Sequence, residues 1–336
     1  MQHLLTLYAF ISFRKMILAS TMDLNTSVNC TIWPHENAVE QYMYPEAYSM
    51  FFIIGFPANC LSLYVAWVLM KKGNNLAVYL INLSVGDLLY ILTLPIWIMM
   101  ALGYEVNDSL CSIIAVVMFN SFYVGSGFLC CISMDRYLAI VFPLYFARVR
   151  EVRTAVLVSS IVWLVEIVLH LGLLIYRQDI WNFSASRMCE EPMMMSSAAA
   201  NVAITLGFLI PALVVGFCYW RIYSAVKKNQ KLESMERRHV FRLLGSILLT
   251  LYLCFGPVHI MMVLRIFLED CPYPNWLFIG YKVCVLLAML NCLADPLLYC
   301  FMSRMGQASA SNVLLILRRR GKKDSPLRTE LSTERL

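Results

Sequence analysis

The chain has 336 residues, of which 60% are apolar and only 14% are charged, and its mean hydropathy is +0.67. A soluble domain of this length would carry more charge, so the composition indicates a protein that crosses a membrane several times. The net charge of +6 does not indicate nucleic-acid binding, because the sequence contains no nucleic-acid-binding motif.

The N-terminal region, residues 1–46, is predicted to precede the first membrane segment, and its first 21 residues have two interpretations. The apolar stretch LLTLYAFISF is interrupted by Arg14 and Lys15, which is consistent with a cleaved leader. The interpretation that we favour is an upstream start, with the working protein beginning at Met22, because MDLNTSVNCT opens directly into glycosylation acceptors and a cysteine.

Residues 47–302 contain the segments that are predicted to cross the membrane. A helix needs about 20 mostly apolar residues to span the hydrocarbon core. The predicted fold class is therefore an all-α membrane protein, a seven-transmembrane helix bundle with a short amphipathic eighth helix in the cytoplasmic region 303–336, where it would contact membrane lipids. The seven predicted segments are 47–70, 76–102, 109–142, 154–176, 198–226, 240–268 and 277–302.

Lysine and arginine residues predict the orientation of the chain, because cytoplasmic loops near membrane segments are enriched in both. Here the basic loops follow the first, third, fifth and seventh segments. The N-terminus is therefore predicted to be extracellular, in a multi-pass protein of the plasma membrane. The basic residues are Lys71, Lys72, Arg148, Arg150, Arg153, Lys227, Lys228, Lys231, Arg237, Arg238, Arg318, Arg319 and Arg320.

Four Asn-x-Ser/Thr acceptors for N-glycosylation fall in the predicted extracellular segments, which agrees with this orientation. They are Asn25, Asn29, Asn107 and Asn182.

Among the polar side chains inside the predicted membrane segments, Asn59, Asp87, Glu166 and Asp295 are the ones that most need an explanation. Ionisable groups within a bilayer are costly and usually mark a functional site. The alternative is that they form hydrogen bonds between neighbouring helices, and for Glu166 in particular this alternative stays open.

Two motifs have an unusual placement in these segments. Asp135-Arg136-Tyr137 stands at the cytoplasmic end of the third segment, and the seventh contains NCLADPLLY, from Asn291 to Tyr299. Together with GFPAN in the first segment, NLSVGD in the second and CFGP in the sixth, they resemble the rhodopsin-like G-protein-coupled receptors over nearly the whole helical region.

The resemblance implies a switch at the cytoplasmic face that activates a heterotrimeric G protein, with arrestin and receptor kinases as further partners. Arg136 would be held by Asp135 in the inactive state and released towards Tyr219 and the G protein on activation. Tyr299 would move in beside them. The switch residues are Asp135, Arg136, Tyr137, Tyr219 and Tyr299.

The resemblance also implies a disulfide bond between Cys111, at the outer end of the third segment, and Cys189, before the fifth. Cys30 and Cys271 are the other two cysteines outside the segments. Their pairing is the simplest second bridge in an oxidising compartment.

Within this family the sequence is most similar to the proton-sensing receptors, which are also discussed as lysolipid receptors. The matching stretches include AVYLINLSVGDLLYILTLPIW and LNCLADPLLYCF. The resemblance implies that extracellular acidification is the stimulus and that a buried trio, Asp87, Glu166 and Asp295, takes up protons. Burial disfavours the charged form of a carboxyl group, and a neighbouring carboxylate disfavours it further.

Departures from that group support an anionic lipid, such as a lysophospholipid or an oxidised fatty acid, as the alternative stimulus. Histidine is scarce in the outer half, and Lys282 stands where the proton-sensing relatives tend to have histidine. Gly125 replaces a serine that relatives commonly have beside the aspartate of an allosteric sodium site, here Asp87, so the resemblance does not extend to that sodium site. The candidate ligand-pocket residues are Phe119, Tyr123, Arg187, Phe208, Phe255, His259, Arg265 and Lys282, the three cations forming the mouth of the pocket.

Two further classes are disfavoured by the sequence. A secondary transporter would have inverted repeats with matching broken helices, and an intramembrane hydrolase would need a nucleophile elbow with a histidine partner. Neither pattern is found, so we expect no enzyme activity, catalytic residue, cofactor or metal site.

Overall fold

The computed structural model describes residues 42–149, 151–176, 198–228, 234–267 and 275–302, and the structural statements below concern these residues. Seven of their helices are long and apolar enough to cross a membrane, so the predicted seven-helix bundle is confirmed. The helices are α1 (Tyr44–Lys71), α2 (Leu76–Ala101), α3 (Asp108–Val141), α4 (Val152–Tyr176), α5 (Ala198–Lys228), α6 (residues 234–267) and α7 (residues 275–302).

The helices differ from the prediction mainly at the side that the basic loops predict to be cytoplasmic, which is called the cytoplasmic side below. α6 begins at Ser234 rather than at residue 240, because apolar content marks the part of a helix within the bilayer and not its polar extension MERRH. A short helix, Pro143–Val149, lies between α3 and α4 and was not predicted. The predicted eighth helix in 303–336 lies outside the described residues.

Proline residues change the local helix type in α1 and α6. In each helix a π-helical turn immediately precedes the proline segment: Phe51–Gly55 before Pro57, and Leu251–Phe255 before Pro257. Proline has no N–H to donate and its ring collides with the carbonyl group four residues earlier, so the wider turn accommodates it. Such a turn is a point at which a helix can bend, and the one in α6, called the bend of α6 below, lies between its cytoplasmic and outer halves.

A glycine turn sets the position of the cytoplasmic end of α2. Gly73 has a φ of 83°, a left-handed conformation that glycine adopts without steric cost. The Gly73 N–H donates to the carbonyl oxygen of Met70 (2.9 Å), and the Asn74 N–H donates to that of Leu69 (3.2 Å). These two hydrogen bonds close the end of α1, and α2 begins only a few residues later. Asn75, which follows, is thereby held against the bundle and is buried.

α3 is the central helix of the described bundle and contacts α2, α4, α5 and α6. Its Phe128, Leu129 and Ile132 side chains are completely buried. Lipid tails are as apolar as these side chains, so close packing and polar contacts between helices, rather than hydrophobic burial, hold such a bundle together. Residues on different faces of α3 consequently contact different neighbouring helices, and this arrangement organises the sites described below.

Candidate functional site

The predicted ion pair at the cytoplasmic end of α3 is present. The Arg136 Nε donates to Asp135 Oδ2 at 3.1 Å, and Arg136 Nη2 pairs with the same oxygen. The Asp135 side chain is 5% exposed, compared with 20% for Arg136. In the part of the chain that the structure describes, Arg136 bonds to Asp135 alone. The resemblance implies this pairing for the inactive state, and the role of Arg136 as a switch stays a prediction.

A second residue, Asn75, binds the same carboxylate and was missed from the sequence. Asn75 Nδ2 donates to Asp135 Oδ1 at 2.6 Å, so both carboxylate oxygens have a donor. The only signal for Asn75 in the sequence is its place directly after the glycine turn. The start of α2 is thus joined to the switch.

The tyrosine residues of the predicted switch pack against different aromatic neighbours. The Tyr137 ring packs against Phe142 and Phe217, with centroid distances of 5.8 and 5.7 Å. The Tyr219 ring lies 6.0 Å from Phe241 of α6. Tyr299 lies in α7, but its side chain falls outside the described set. Tyr219 therefore connects α5 with α6 in this structure, and its predicted movement towards Arg136 stays a prediction.

Two of the predicted carboxyl groups, Asp87 of α2 and Asp295 of α7, interact electrostatically in the middle of the bundle. Both residues are buried, with relative exposures of 7% and 1%. Asn291 Nδ2 donates to Asp295 Oδ2 at 2.9 Å. Asn59 of α1 is fully buried beside them and donates to the carbonyl oxygens of Gly55 (3.1 Å) and Cys292 (2.8 Å).

The same cluster has too few hydrogen-bond donors. Four buried side-chain oxygens accept no hydrogen bond from the described residues: Asn59 Oδ1, Asp87 Oδ2, Asn291 Oδ1 and Asp295 Oδ1. An ionised carboxylate only accepts hydrogen bonds, whereas a protonated one also donates. A buried acceptor without a donor costs free energy. A proton on either aspartate would therefore supply a donor that the cluster lacks.

Glu166, the third predicted carboxyl group, lies on another side of α3. A Cβ atom at Gly125 would lie 3.6 Å from Asn291 Nδ2, and one at Gly127 would lie 4.0 Å from Glu166 Oε1. Two residues of an α-helix are separated by about 200° around its axis. Glu166 therefore approaches α3 from nearly the opposite face, and the structure arranges the trio as one pair and one separate carboxyl group.

A small cavity lies between α3, α5, α6 and α7, below the outer ends of the helices. His259 dominates its polar lining: the ring stacks on Phe208 at 4.5 Å, and Nδ1 donates to the Phe255 carbonyl oxygen at 2.7 Å. A carbonyl oxygen can only accept, so the neutral ring presents Nε2 as an acceptor towards the Tyr123 hydroxyl, 3.5 Å away. The lining residues are Phe122, Tyr123, Ser126, Phe208, Phe255, Val258, His259 and Ala288.

Four of the eight predicted pocket residues line this cavity, and two described ones do not. Phe119 packs against His170 of α4, with a centroid distance of 6.2 Å. The Lys282 Nζ lies 5.7 Å from the ring centre of Tyr44 in α1, and the Tyr44 hydroxyl donates to the Lys282 carbonyl oxygen at 3.2 Å. Lys282 thus contacts α1 in this structure, and the cationic mouth stays a prediction. Arg187 and the Arg265 side chain lie outside the described residues.

At the outer end of α3, Cys111 is disulfide-bonded. Its predicted partner Cys189 lies outside the described residues, as do Cys30 and Cys271, so both pairings stay predictions. Asn107 is exposed and caps α3, its side-chain oxygen accepting a hydrogen bond from the Ser109 N–H at 2.9 Å. The other glycosylation acceptors, Asn25, Asn29 and Asn182, lie outside the described set.

Comparison with known proteins identifies the family. The model of the 7 transmembrane receptor (rhodopsin family) matches residues 58–299. The chain is 35% identical to G-protein coupled receptor 68 of Homo sapiens over 286 residues, covering 83% of this chain and 78% of the relative. It is 33% identical to human G-protein coupled receptor 65 over 305 residues, covering 85% and 90%. The chain therefore belongs to the rhodopsin family of seven-transmembrane receptors.

Proposed function

We propose that this receptor responds to extracellular acidification and passes the signal to a heterotrimeric G protein at its cytoplasmic face. The observation that carries the proposal is the buried pair Asp87 and Asp295, with side-chain oxygens that lack donors. The resemblance to proton-sensing receptors supports the choice of protons as the stimulus. The relatives that the chain matches are named as G-protein coupled receptors, which supports the choice of partner.

Proton uptake by the pair has a simple physical basis. Two carboxylates close together in an apolar interior repel each other, and neither is well solvated. One proton removes the repulsion and supplies a hydrogen-bond donor. We therefore take the pair as the site of proton uptake.

The link between proton binding and activation follows from the conformation. If the active packing brings Asp87 and Asp295 closer together or excludes more water, that packing binds more protons. Lowering the pH then favours the active packing, and raising the pH favours the inactive one. A stimulus shifts the equilibrium only by its difference in affinity for the two states. The proton meets this condition only if the environment of the pair changes on activation.

The cytoplasmic side of the bundle contains the groups that would pass a change in packing to the G protein. Asp135 pairs with Arg136 at the cytoplasmic end of α3, and α6 contains the π-helical turn Leu251–Phe255, about which its cytoplasmic half would swing. Release of Arg136 and outward movement of α6 would open a surface for the G protein. We propose the orientation that the basic loops predict, with the N-terminus outside the cell and the receptor in the plasma membrane.

A pH titration of G-protein activation in cells tests the proposal. Asp295→Asn removes the pair's shared proton site and should flatten the pH response, because an amide cannot titrate. Glu166→Gln mimics the protonated carboxyl group and should raise basal activity at neutral pH. Glu105→Gln is the matched control, since Glu105 is an exposed carboxyl group outside the helices, and its curve should equal the wild type. Unchanged midpoints in both test variants would refute acid sensing through these groups.

The second candidate stimulus is an anionic lipid. The cavity beside His259 favours it, because aromatic side chains of α3, α5 and α6 line that space. The cavity is small in this structure, so an acyl chain would enter it only after the surrounding side chains moved apart, and the head group would lie above it. Titration with a lysophospholipid at fixed pH separates the two stimuli: activation by lipid without activation by acid would select the lipid.

A further inference from the structure

We propose that the hydroxyl group of Tyr123 links Glu166 of α4 to His259 of α6, so that protonation of Glu166 is transmitted to the bend of α6. This inference rests on the proposed function, because it takes Glu166 to be a protonation site. It assigns Tyr123 a positioning role that does not depend on contact with a ligand.

Tyr123 lies where three helices meet. Its ring forms an edge contact with His259, with a centroid distance of 6.3 Å and an interplanar angle of 81°. On the α5 side, Gly207 leaves room for the ring: a Cβ atom there would lie only 3.3 Å from Tyr123 Cε1. The ring is thus fixed from both sides, and the hydroxyl group is held 3.5 Å from His259 Nε2.

Glu166 approaches the same face of α3. Gly127 follows Tyr123 by four residues, one helical turn, so both positions point in the same direction. The Glu166 Oε1 atom lies 4.0 Å from the Cβ position of Gly127, and Glu166 interacts electrostatically with Tyr123. The missing side chain at Gly127 leaves space for the carboxyl group beside the tyrosine.

His259 is joined directly to the bend of α6. It stands two residues after Pro257, and its Nδ1 donates to the carbonyl oxygen of Phe255, the last residue of the π-helical turn. Its ring also stacks on Phe208 of α5. A change in the hydrogen bond at Nε2 therefore acts on the segment that must bend when the cytoplasmic half of α6 moves.

Few other titratable groups face this network in the described residues. On α4, His170 lies one turn beyond Glu166 and packs against Phe119. α5 contributes Gly207 and Phe208, which carry no charge. Asp87 and Asp295 are separated from Glu166 by α3. Among the described groups, a change in the charge of Glu166 therefore acts mainly on the Tyr123 hydroxyl group.

The switch consists of the hydrogen bond from the Tyr123 hydroxyl group to His259 Nε2, which the charge of Glu166 modulates. A charged Glu166 attracts the hydroxyl hydrogen electrostatically and thereby weakens this hydrogen bond. When Glu166 takes up a proton the attraction disappears, and the hydroxyl group bonds more strongly to His259 Nε2. Acidification thus strengthens the connection between α3 and the bend of α6, and no covalent bond is formed or broken.

A double-mutant cycle with Tyr123→Phe and Glu166→Gln tests the link, with the pH midpoint of G-protein activation as the readout. Each single variant should shift the midpoint by about two- to tenfold in proton concentration, the range for one hydrogen bond. The double variant should equal Tyr123→Phe alone, because without the hydroxyl group the state of residue 166 no longer reaches His259. His259→Phe, which keeps a ring on Phe208, is a further variant and should behave like Tyr123→Phe.

Tyr90→Phe is the matched control. Its hydroxyl group is buried without a hydrogen-bond partner among the described residues, and its ring packs against Phe122 at 5.5 Å, so its midpoint should not move. Additive midpoint shifts in the cycle would overturn the link while acid sensing stands. If acid does not activate the receptor, the same double-mutant cycle can be measured with the melting temperature of the purified receptor as the readout. Non-additive melting shifts would then support the contact, and additive ones would overturn it.

Discussion

Asn75 offers the sharpest test of the switch, because it was absent from the predicted site and holds the Asp135 carboxylate from the side opposite Arg136. The Asn75 amide is buried and donates at 2.6 Å to an oxygen that Arg136 does not use. Replacing Asn75 with alanine removes this donor and leaves the Asp135–Arg136 ion pair chemically intact. If the contact belongs to the inactive packing alone, its loss should raise basal activity.

The size of the effect follows from the type of bond. A hydrogen bond to a charged group contributes about 1.5–3 kcal/mol, which corresponds to a shift of about 10- to 150-fold in the ratio of active to inactive receptor. A receptor that is about 1% active without stimulus would then become about 10–60% active. The lower end applies if another group replaces Asn75 beside Asp135.

The assay is nucleotide exchange on a purified G protein at alkaline pH, where the proposed stimulus is absent, at equal receptor density. Asn74→Ala is the neighbouring control. The Asn74 side-chain oxygen accepts a hydrogen bond from the Leu76 N–H at 3.1 Å and has no part in the switch, so its loss should lower stability without raising exchange. Basal exchange at the wild-type level in Asn75→Ala would refute the locking role of the contact.

Three further outcomes can be measured. Arg136→Ala should abolish G-protein activation and keep surface expression, which flow cytometry and second-messenger output report together. Cys111→Ser should reduce surface expression or stimulus response, whereas a free Cys111 thiol found by mass spectrometry in the mature protein would contradict its bridging role. Gly127→Ala should lower the melting temperature, because its new Cβ would lie 3.1 Å from Val162 Cγ1; Gly172→Ala, with nothing within 4 Å, is its control.

The fold could be predicted from the sequence because length and apolar content alone decide whether a segment can span a bilayer. The same criterion explains the errors. The first residues of α6, from Ser234, are polar, and the short helix Pro143–Val149 lies beyond the apolar segment, so apolar content identified neither. Helix continuity outside the membrane depends on backbone hydrogen bonds and tertiary contacts, which hydropathy does not measure.

The sequence could predict which residues belong to the candidate site, but not which neighbouring helix each side chain faces. The sequence places Glu166 at a suitable depth for contact with Asp87 and Asp295, but the rotation of α4 against α3 decides which face it meets. Likewise, Lys282 contacts Tyr44 because of how α7 packs on α1. Such rotations are set by many small packing contacts, and no single motif records them.

The separation of Glu166 from the aspartate pair has a consequence for the steepness of the pH response. Protons that bind within one cluster of carboxyl groups interact strongly, so their uptake is spread over a wide pH range. Two sites on opposite faces of α3 load almost independently, and α3 contacts both. If both favour the active packing, the transition takes up two protons over the same range, and its slope against pH exceeds that of a single site. We therefore expect Glu166→Gln to reduce the Hill slope towards one while Asp87 and Asp295 keep a residual response; a slope equal to that of the wild type would mean that Glu166 takes up no proton during activation.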